Sequence, residues 1–320
     1  MFAVTKKISS FLVVLLLLFL TIVYAATTGS IQMGFGEFIV NLFDANNDKM
    51  AAIKDLRFPR IIIALFAGAA LSVAGVLLQA IMRNPLADAG FIGISAGAAF
   101  TKLFIVSFVP TMFFFSPIAA FVGGAFACFL VFFLSWKSGL NPLKLILVGI
   151  AINAMFSGLT EAMISFGAST SGAITSNLTL KTWDDVSLMA TYGTIGLVLA
   201  FLFYGWCNVL VLSDKTAKSI GFNVTAARLL IAAVAVLLAA SSVVVAGVIA
   251  FVGILVPHIA RRLVGYDHKV LIPFTALLGA FIILLADTLG RTLFAPMEIP
   301  ASTIMAIIGG PFLIFLLRKE

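Results

Sequence analysis

The sequence predicts an all-α, polytopic membrane protein with about ten transmembrane helices and both termini in the cytoplasm. Of its 320 residues, 62% are hydrophobic and only 10% are charged, and the mean hydropathy is +1.20. Soluble domains usually carry about 25% charged residues. Roughly ten apolar runs approach the about 20 residues that a helix needs to cross a bilayer. The runs are continuously apolar rather than alternating, which disfavours a transmembrane β-barrel.

These runs are organised as a single transmembrane domain that covers residues 1–320. Lys6 and Lys7 precede the first run, which we interpret as a retained span; small residues at 24–26 leave a cleaved signal peptide as the alternative. In the more polar stretch that follows, residues 35–43 form a predicted interfacial helix, and residues 167–187 form a predicted loop. The ten predicted spans are 11–26, 60–82, one that follows Gly90, 112–135, 143–166, 188–212, 229–249, 253–264, 270–289 and 301–317.

Lysine and arginine residues predict which side of the membrane each loop faces, because cytoplasmic loops carry an excess of basic residues. With a cytoplasmic N-terminus and ten spans, 13 of the 20 basic residues lie inside. Shifting the count by one span removes this bias, so the distribution favours ten spans. Lys102 lies within a span, and the six residues predicted outside are Lys49, Lys54, Arg57, Arg60, Lys181 and Arg291.

A polar, glycine-rich turn from Arg83 to Gly97 separates the second and third spans. Asn84 and Pro85 are expected to end a helix, because proline disfavours helical geometry at the residue before it. Asp88 is the predicted N-cap of the next helix. Three glycines spaced three and four residues apart are expected to share one face of that helix and to let the backbone of another helix pack closely against it. They are Gly90, Gly93 and Gly97. A simple polar connection between two membrane helices is the alternative.

The longest charged stretch on the predicted cytoplasmic side runs from Ser213 to Arg228. Small residues at 217, 219 and 221 predict a short helix that ends with Gly221 as its C-cap. Small side chains at a surface turn allow a partner to approach closely. An ordinary solvated loop is the alternative.

Three arginines lie at the predicted outer ends of the second and ninth spans. Arg57 and Arg60 flank Pro59, and Arg291 follows Asp287 by four residues. Guanidinium groups bind carboxylates in a bidentate manner, so this set suits a carboxylate from a partner or ligand. Snorkelling of each side chain to the membrane interface is the alternative.

The sequence also excludes or disfavours several classes of chemistry. It contains no Gly-Lys pair, which rules out a Walker A phosphate loop, so any ATP hydrolysis requires another chain. Cys128 and Cys207 fall inside apolar runs and are interpreted as small core residues. The basic residues are scattered between spans, so no nucleic-acid partner is expected. Lys102 and Glu161 are the clear ionisable residues inside spans, and an ion-coupled carrier that uses them is the rival class.

Several motifs occur together and in a definite order. They are Leu56-Arg-Phe-Pro-Arg60, the Arg-Asn-Pro-Leu-Ala-Asp run within 79–97, Lys218-Ser-Ile-Gly-Phe-Asn223, Val256-Pro-His-Ile-Ala-Arg-Arg262, Ala286-Asp287 and Gly309-Gly-Pro311. With these motifs the chain strongly resembles the FecCD/BtuC-type permeases of type II ABC importers, which take up iron-siderophores, haem and vitamin B12. The resemblance covers nearly the whole chain. One departure is Ala89, where the family often has proline.

The resemblance implies partners as well as a fold. It implies a subunit that dimerises with a second permease, identical or not, around a central pathway. A separate ATP-binding-cassette ATPase lies on the cytoplasmic side, and a substrate-binding protein docks outside. Acidic residues of that binding protein are expected to meet the docking arginines, which are Arg57, Arg60 and Arg291.

The resemblance also assigns the cytoplasmic segments. Short helices at about 213–224 are expected to contact the ATPase, and the coupling residues are Ala217, Ser219, Gly221 and Phe222. The family-motif turn consists of Arg83, Asn84, Pro85 and Asp88, and is expected to support close packing and ATPase contact.

We therefore expect the membrane-spanning permease subunit of an importer that moves an iron-siderophore complex across the bacterial cytoplasmic membrane. Haem and vitamin B12 are the alternative cargoes, and an ion-coupled secondary transporter is the alternative of another class. The chain is not expected to be an enzyme or to hold a cofactor, because ATP would be bound and hydrolysed by the partner.

Overall fold

The structure, a computed structural model, is helical in every regular element of the part that it describes, which confirms the all-α class. It describes residues 2–29, 33–41, 44, 47–90, 92–136, 142–168, 178–293, 295 and 297–318. The helices are α1 (Phe2–Thr27), α2 (Phe35–Asn41), α3 (Asp48–Met82), α4 (Ile94–Phe108), α5 (Ser116–Ser135), α6 (Pro142–Ser165), α7 (Trp183–Leu202), α8 (Tyr204–Leu210), α9 (Asp214–Ser219), α10 (Val224–Ala246), α11 (Val252–Val264), α12 (His268–Thr292) and α13 (Ala301–Leu317). A 3₁₀ helix, Pro110–Phe115, joins α4 to α5.

Seven of the described helices are long and apolar enough to cross a membrane, which makes this an integral membrane protein. They are α1, α3, α5, α6, α7, α10 and α12. Helices α4 and α13 are apolar but shorter, and α11 has 13 residues, a rise of about 20 Å. Each of the ten predicted spans thus corresponds to a helix. The ten-span count and the cytoplasmic position of the termini stay predictions.

Some boundaries differ from those predicted. Helix α3 begins at Asp48 rather than near Arg60, because Asn47 caps it by accepting a hydrogen bond from the Met50 amide at 3.0 Å. The predicted sixth span is divided at Phe203 into α7 and α8. The predicted loop at 167–187 is shorter, since α7 begins at Trp183. Residues 169–177 of that loop, like residues 42–43 of the predicted interfacial helix, lie outside the described part.

Helix α3 is the centre of the bundle and packs against α7, α10, α11 and α12. Its most apolar window is 83% buried, against 17% for α1. The crossing with α12 is close enough to require glycine on both helices: a Cβ on Gly68 would lie 2.2 Å from the carbonyl oxygen of Gly279. Such small-residue contacts are typical of membrane helices, which associate mainly through close packing.

The turn after α3 confirms one prediction and corrects two. Helix α3 ends at Met82, as Asn84 and Pro85 predict. The predicted N-cap role of Asp88 is wrong, because α4 begins at Ile94 and its N-cap is Gly93, whose φ is +87°. Gly90 and Gly93 therefore precede the helix, and the prediction that the three glycines share one helical face is also wrong.

Close approach at the last of these glycines does occur. Gly97 is the one of the three inside α4, and a Cβ there would lie 2.7 Å from the carbonyl oxygen of Gly123 on α5. Gly93 also lies close to the backbone of α6, since a Cβ there would lie 3.0 Å from the Asn153 amide nitrogen. The glycines thus predict close approach correctly at two positions. The helix start is displaced because the Asp88 carboxylate accepts the Gly90 amide at 2.7 Å, which closes a local turn instead of a helix.

Candidate functional site

The docking arginines predicted from the sequence form one cluster that joins α1, α3 and α12. Arg60 is central: its Nε and Nη2 donate to the two carboxylate oxygens of Asp287 at 2.8 and 2.9 Å, and its Nη1 donates to Glu298 at 2.9 Å. The Arg60 side chain is 10% exposed and that of Asp287 is 5% exposed. Arg60 is thus held by two carboxylates of its own chain.

Arg57 and Arg291 bind the end of α1. Arg57 Nη1 donates to the carbonyl oxygen of Ala26, and Arg291 Nη2 donates to that of Ala25, each at 2.7 Å. Carbonyls in the last turn of a helix lack partners within the helix, so these two guanidiniums act as a C-terminal cap supplied by other helices. A Cβ on Gly29 would lie 3.0 Å from Arg57 and 3.3 Å from Arg291, so the chain after α1 passes directly over both groups.

Glu298 gives the cluster a partly exposed acidic edge between α12 and α13. Burial opposes its ionisation, but the charges of Arg60 and Arg291 and the hydrogen bonds from Arg60 and Thr179 together hold the pKa of Glu298 below its usual range. Thr179 also donates to this carboxylate, at 3.0 Å. The structure therefore shows how the three arginines are held within the subunit, and their docking role stays a prediction.

The turn between α3 and α4 is tied to the start of α11. The buried Asp88 carboxylate accepts a hydrogen bond from the amide of Gly253 as well as that of Gly90. Asp88 thus caps the N-terminus of α11, a helix far from it in sequence. Burial raises the pKa of Asp88 to about 6, and the two amide hydrogen bonds offset part of that rise. A Cβ on Gly253 would lie 2.3 Å from the carboxylate, so only glycine fits there.

Gln79 completes this connection. Its Nε2 donates to the carbonyl oxygens of Gly253 at 2.7 Å and of Ala87 at 3.3 Å. Its Oε1 accepts a hydrogen bond from Arg261, near the end of α11. The family-motif turn is therefore fixed to both α3 and α11 by buried polar groups, which are stabilising when each has its partners.

A cavity of about 480 Å³ lies along α6, beside the same turn. Its α6 wall runs from Asn153 to Ile164, a distance of about 16 Å at 1.5 Å per residue. Polar side chains dominate that wall, and they follow the three- and four-residue spacing of one helical face. They are Asn153, Ser157, Thr160 and Glu161. The cavity is also lined by Asp88, by Ser95 and, in the segment between α10 and α11, by Val248 and Ala250.

Lys102 and Glu161, the residues of the rival hypothesis, have separate environments. The Lys102 ammonium donates to the carbonyl oxygen of Val244 at 2.8 Å, in the last turn of α10. Glu161 is exposed on the cavity wall. Among the ion pairs of the described residues none joins these two. Lys102 therefore acts as a helix-terminal donor, which does not support a relay between the two groups.

Helix α9 carries the predicted coupling residues, and its end follows the sequence prediction. The amides of Gly221 and Phe222 donate to the carbonyls of Lys218 and Ala217 at 3.0 and 3.1 Å. With Gly221 at a φ of +79°, this is a Schellman motif. Ala217 is fully buried within the subunit, and Phe222 packs edge-on against Trp206. Ser219 and Gly221 are exposed.

One strongly exposed apolar side chain beside α9 was not singled out from the sequence. Ile220 is 63% exposed, directly after the helix. The sequence analysis also missed Asp214 and Glu298 as carboxylate partners of arginines, and Arg228 as a buried arginine that binds one of them. A signal existed for Arg228, because a charge inside the buried start of an apolar helix requires a nearby partner, but its identity depends on the fold.

Comparisons with known proteins agree with one another. The FecCD transport family matches residues 15–319 of the chain. Two relatives from Staphylococcus aureus, strains MSSA476 and Newman, are each 40% identical over 315 residues, 98% of this chain and 97% of the relative. Both bear the name "Probable heme-iron transport system permease protein IsdF".

Solved structures extend the likeness to the fold. One, described as an inward-facing conformation of a metal-chelate type ABC transporter, has a TM-score of 0.83 at 30% identity and covers 96% of this chain and 98% of that chain. PsaBC from Streptococcus pneumoniae, in complex with a Fab, has a TM-score of 0.60 at 17% identity, with 88% and 95% coverage. The second likeness shows the fold alone.

Proposed function

The chain belongs to the FecCD transport family, the permeases of ATP-binding-cassette importers, and from that premise we propose that it carries an iron chelate across the bacterial plasma membrane. Haem is the first candidate cargo, because the relatives that are 40% identical are named as heme-iron permeases. A ferric siderophore is the second candidate. We propose further that a separate ATPase, a substrate-binding protein and a second permease subunit complete the transporter.

The polar face of α6 is the observation that carries the proposed pathway. Ser157 and Glu161 are exposed on a helix that crosses the membrane, and Asn153 and Thr160 are half-buried beside them. Polar and ionisable groups are costly against lipid, so a face of this kind is expected to meet water or protein. We propose that the cavity along α6 is this subunit's half of a pathway shared with the second permease. Its volume is within the about 300–1,000 Å³ of small-molecule sites.

Uptake by proteoliposomes tests the cargo. The complex of this subunit, its ATPase and its binding protein is expected to accumulate haem in a saturable, ATP-dependent manner, and to ignore iron-free protoporphyrin. A ferric hydroxamate siderophore is the second arm. Accumulation of the siderophore alone would overturn haem as the cargo, and accumulation of neither compound by a complex that hydrolyses ATP would overturn an iron chelate.

We also propose that the arginine cluster receives carboxylates of the binding protein. Its three guanidiniums face two carboxylates, Asp287 and Glu298, so the cluster keeps a net positive charge. Arg291 is the best position at which to test docking, because its Nε is buried without a partner among the described residues. In Arg60, by contrast, each of the three guanidinium nitrogens already donates to a carboxylate of its own chain.

Reversing one charge tests this docking role. Arg291→Glu is expected to weaken binding of the binding protein by about 10- to 100-fold at low salt, which corresponds to about 1.5–3 kcal/mol for a charge-assisted bond. Lys49→Glu is the matched control, because Lys49 is exposed and its partner Glu37 lies 3.9 Å away. The Kd is measured by surface plasmon resonance on the assembled transporter. Equal Kd values for Arg291→Glu and the unchanged protein, with melting temperatures also equal, would refute the docking role.

We propose that α9 and the residues after it contact the ATPase. Ala217 is buried and packs α9 against the rest of the subunit. Ile220 is exposed and provides an apolar side chain that a pocket of the partner would cover. The neighbouring Lys215 and Lys218 are exposed and favour an acidic rim around that pocket.

A further inference from the structure

The first residue of α9 is held by two arginines that belong to other helices. Asp214 Oδ1 accepts hydrogen bonds from Arg83 Nη2 at 2.5 Å and from Arg228 Nη2 at 3.0 Å, and Oδ2 accepts one from Arg228 Nη1 at 3.2 Å. Arg83 is the C-cap of α3, and Arg228 lies in the second turn of α10. One carboxylate therefore joins three helices.

Arg83 is also bound to the chain just before α9. Its Nε donates to the carbonyl oxygen of Leu210 at 2.7 Å, and its Nη2 donates to that of Leu212. These carbonyls lie at the end of α8 and in the connection to α9, where helical partners are absent. Arg83 thus holds both sides of the connection, and α9 cannot shift relative to the end of α3 without breaking these bonds.

Arg228 makes the arrangement sensitive to the loss of Asp214. Its side chain is 2% exposed, and Asp214 is the carboxylate paired with it among the described residues. Burial opposes ionisation of Asp214, but the charges and hydrogen bonds of Arg228 and Arg83 together keep the pKa of Asp214 below its usual range. Leaving the buried guanidinium of Arg228 without its carboxylate would strongly destabilise the protein. The Arg228–Asp214 pair is therefore expected to stay intact when a partner pushes on α9.

The helix itself has little rigidity of its own. Helix α9 has six residues, and helices shorter than about 12 residues are marginal without outside support. Its exposed neighbour Ile220 lies at the opposite end from Asp214. A force applied at Ile220 therefore reaches the bundle through the arginine contacts rather than through the helix backbone alone.

We propose that Asp214 is a positioning residue that transmits movement of α9 to α3 and α10. The inference rests on the proposed contact between α9 and the ATPase. Beyond Arg83 the path continues through Gln79, which donates to Ala87, to the turn that holds Asp88, and Asp88 lines the cavity. Beyond Arg228 it follows α10 to the segment after that helix, where Val248 lines the cavity. Asp214 acts through these helices and touches no cargo.

The test compares transport with ATP hydrolysis in the assembled complex. Asp214→Asn keeps the size of the side chain and removes its charge. The substitution is expected to leave the ATPase bound and active, while cargo transported per ATP hydrolysed falls at least about fivefold, the lower end of typical coupling between sites. Asp214→Glu, which keeps the charge, is expected to restore part of the ratio. Asp267→Asn is the matched control, because Asp267 also lies at the start of a helix but binds Asn208 rather than an arginine.

A second variant keeps the test valid if Asp214→Asn fails to fold. Arg83→Gln removes the link to α3 and leaves the buried Arg228–Asp214 pair in place, and the same loss of coupling is expected. An unchanged ratio in Arg83→Gln, or in a folded Asp214→Asn, would overturn the positioning role. Release of the ATPase from the folded variants would assign Asp214 to docking and would also overturn it. If the unchanged protein shows no ATP-dependent uptake, it is the proposed function that fails.

Discussion

Replacing Asp287 by alanine is expected to lower the free energy of unfolding by about 3–5 kcal/mol, because the change removes one partner of a buried ion pair. Arg60 would keep only Glu298, whose side chain is 37% exposed, in place of a bidentate bond that is almost fully buried. Asp287→Asn, which preserves the volume, is expected to cost less. The loss is measured by equilibrium unfolding of the purified protein in detergent micelles.

A solvent-exposed ion pair provides the control. Glu37 and Lys49 lie 3.9 Å apart with side chains 45% and 62% exposed, and Glu37→Ala is expected to cost no more than about 1 kcal/mol. A loss below 1 kcal/mol for Asp287→Ala would show that the arginine cluster does not hold α3 and α12 together. It would leave docking as the main reason for the three arginines.

Much of the fold follows from local sequence rules. Continuous apolar runs predict the helices, Pro85 predicts the end of α3, and Gly221 predicts the end of α9. The start of α3 is missed because residues 48–59 are charged and polar as well as apolar. Met50 and Ile53 are three residues apart and fully buried, so the amphipathic pattern existed but was shorter than a span.

The contacts of Asp88 and Lys102 are less predictable, because they join parts of the chain that are distant in sequence. Asp88 has the residue type and position of an N-cap, yet it caps α11 rather than α4. Nothing local distinguishes the two, since the choice depends on how closely Gly75 and Gly253 bring α3 and α11 together. The same holds for Lys102, whose partner is a backbone carbonyl of α10.

Partner contacts are predicted by resemblance, and the structure changes how they are interpreted. The docking arginines lie together in the structure, and their intrachain partners Asp287, Glu298 and the end of α1 are not evident from spacing alone. Within α9, small residues suggest a contact surface. The fold buries Ala217 and exposes Ile220, because the Schellman motif turns the chain after Ser219.

The most direct test of the proposed function is whether ATP hydrolysis or an ion gradient drives uptake. Proteoliposomes that contain this subunit, the binding protein and an ATPase inactivated at its Walker A lysine are supplied with cargo, ATP and an imposed proton or sodium gradient. The account predicts that uptake falls to the level of empty liposomes, because this chain has no phosphate loop and Lys102 and Glu161 are not paired. Uptake that continues on the ion gradient alone would contradict the account and establish an ion-coupled carrier.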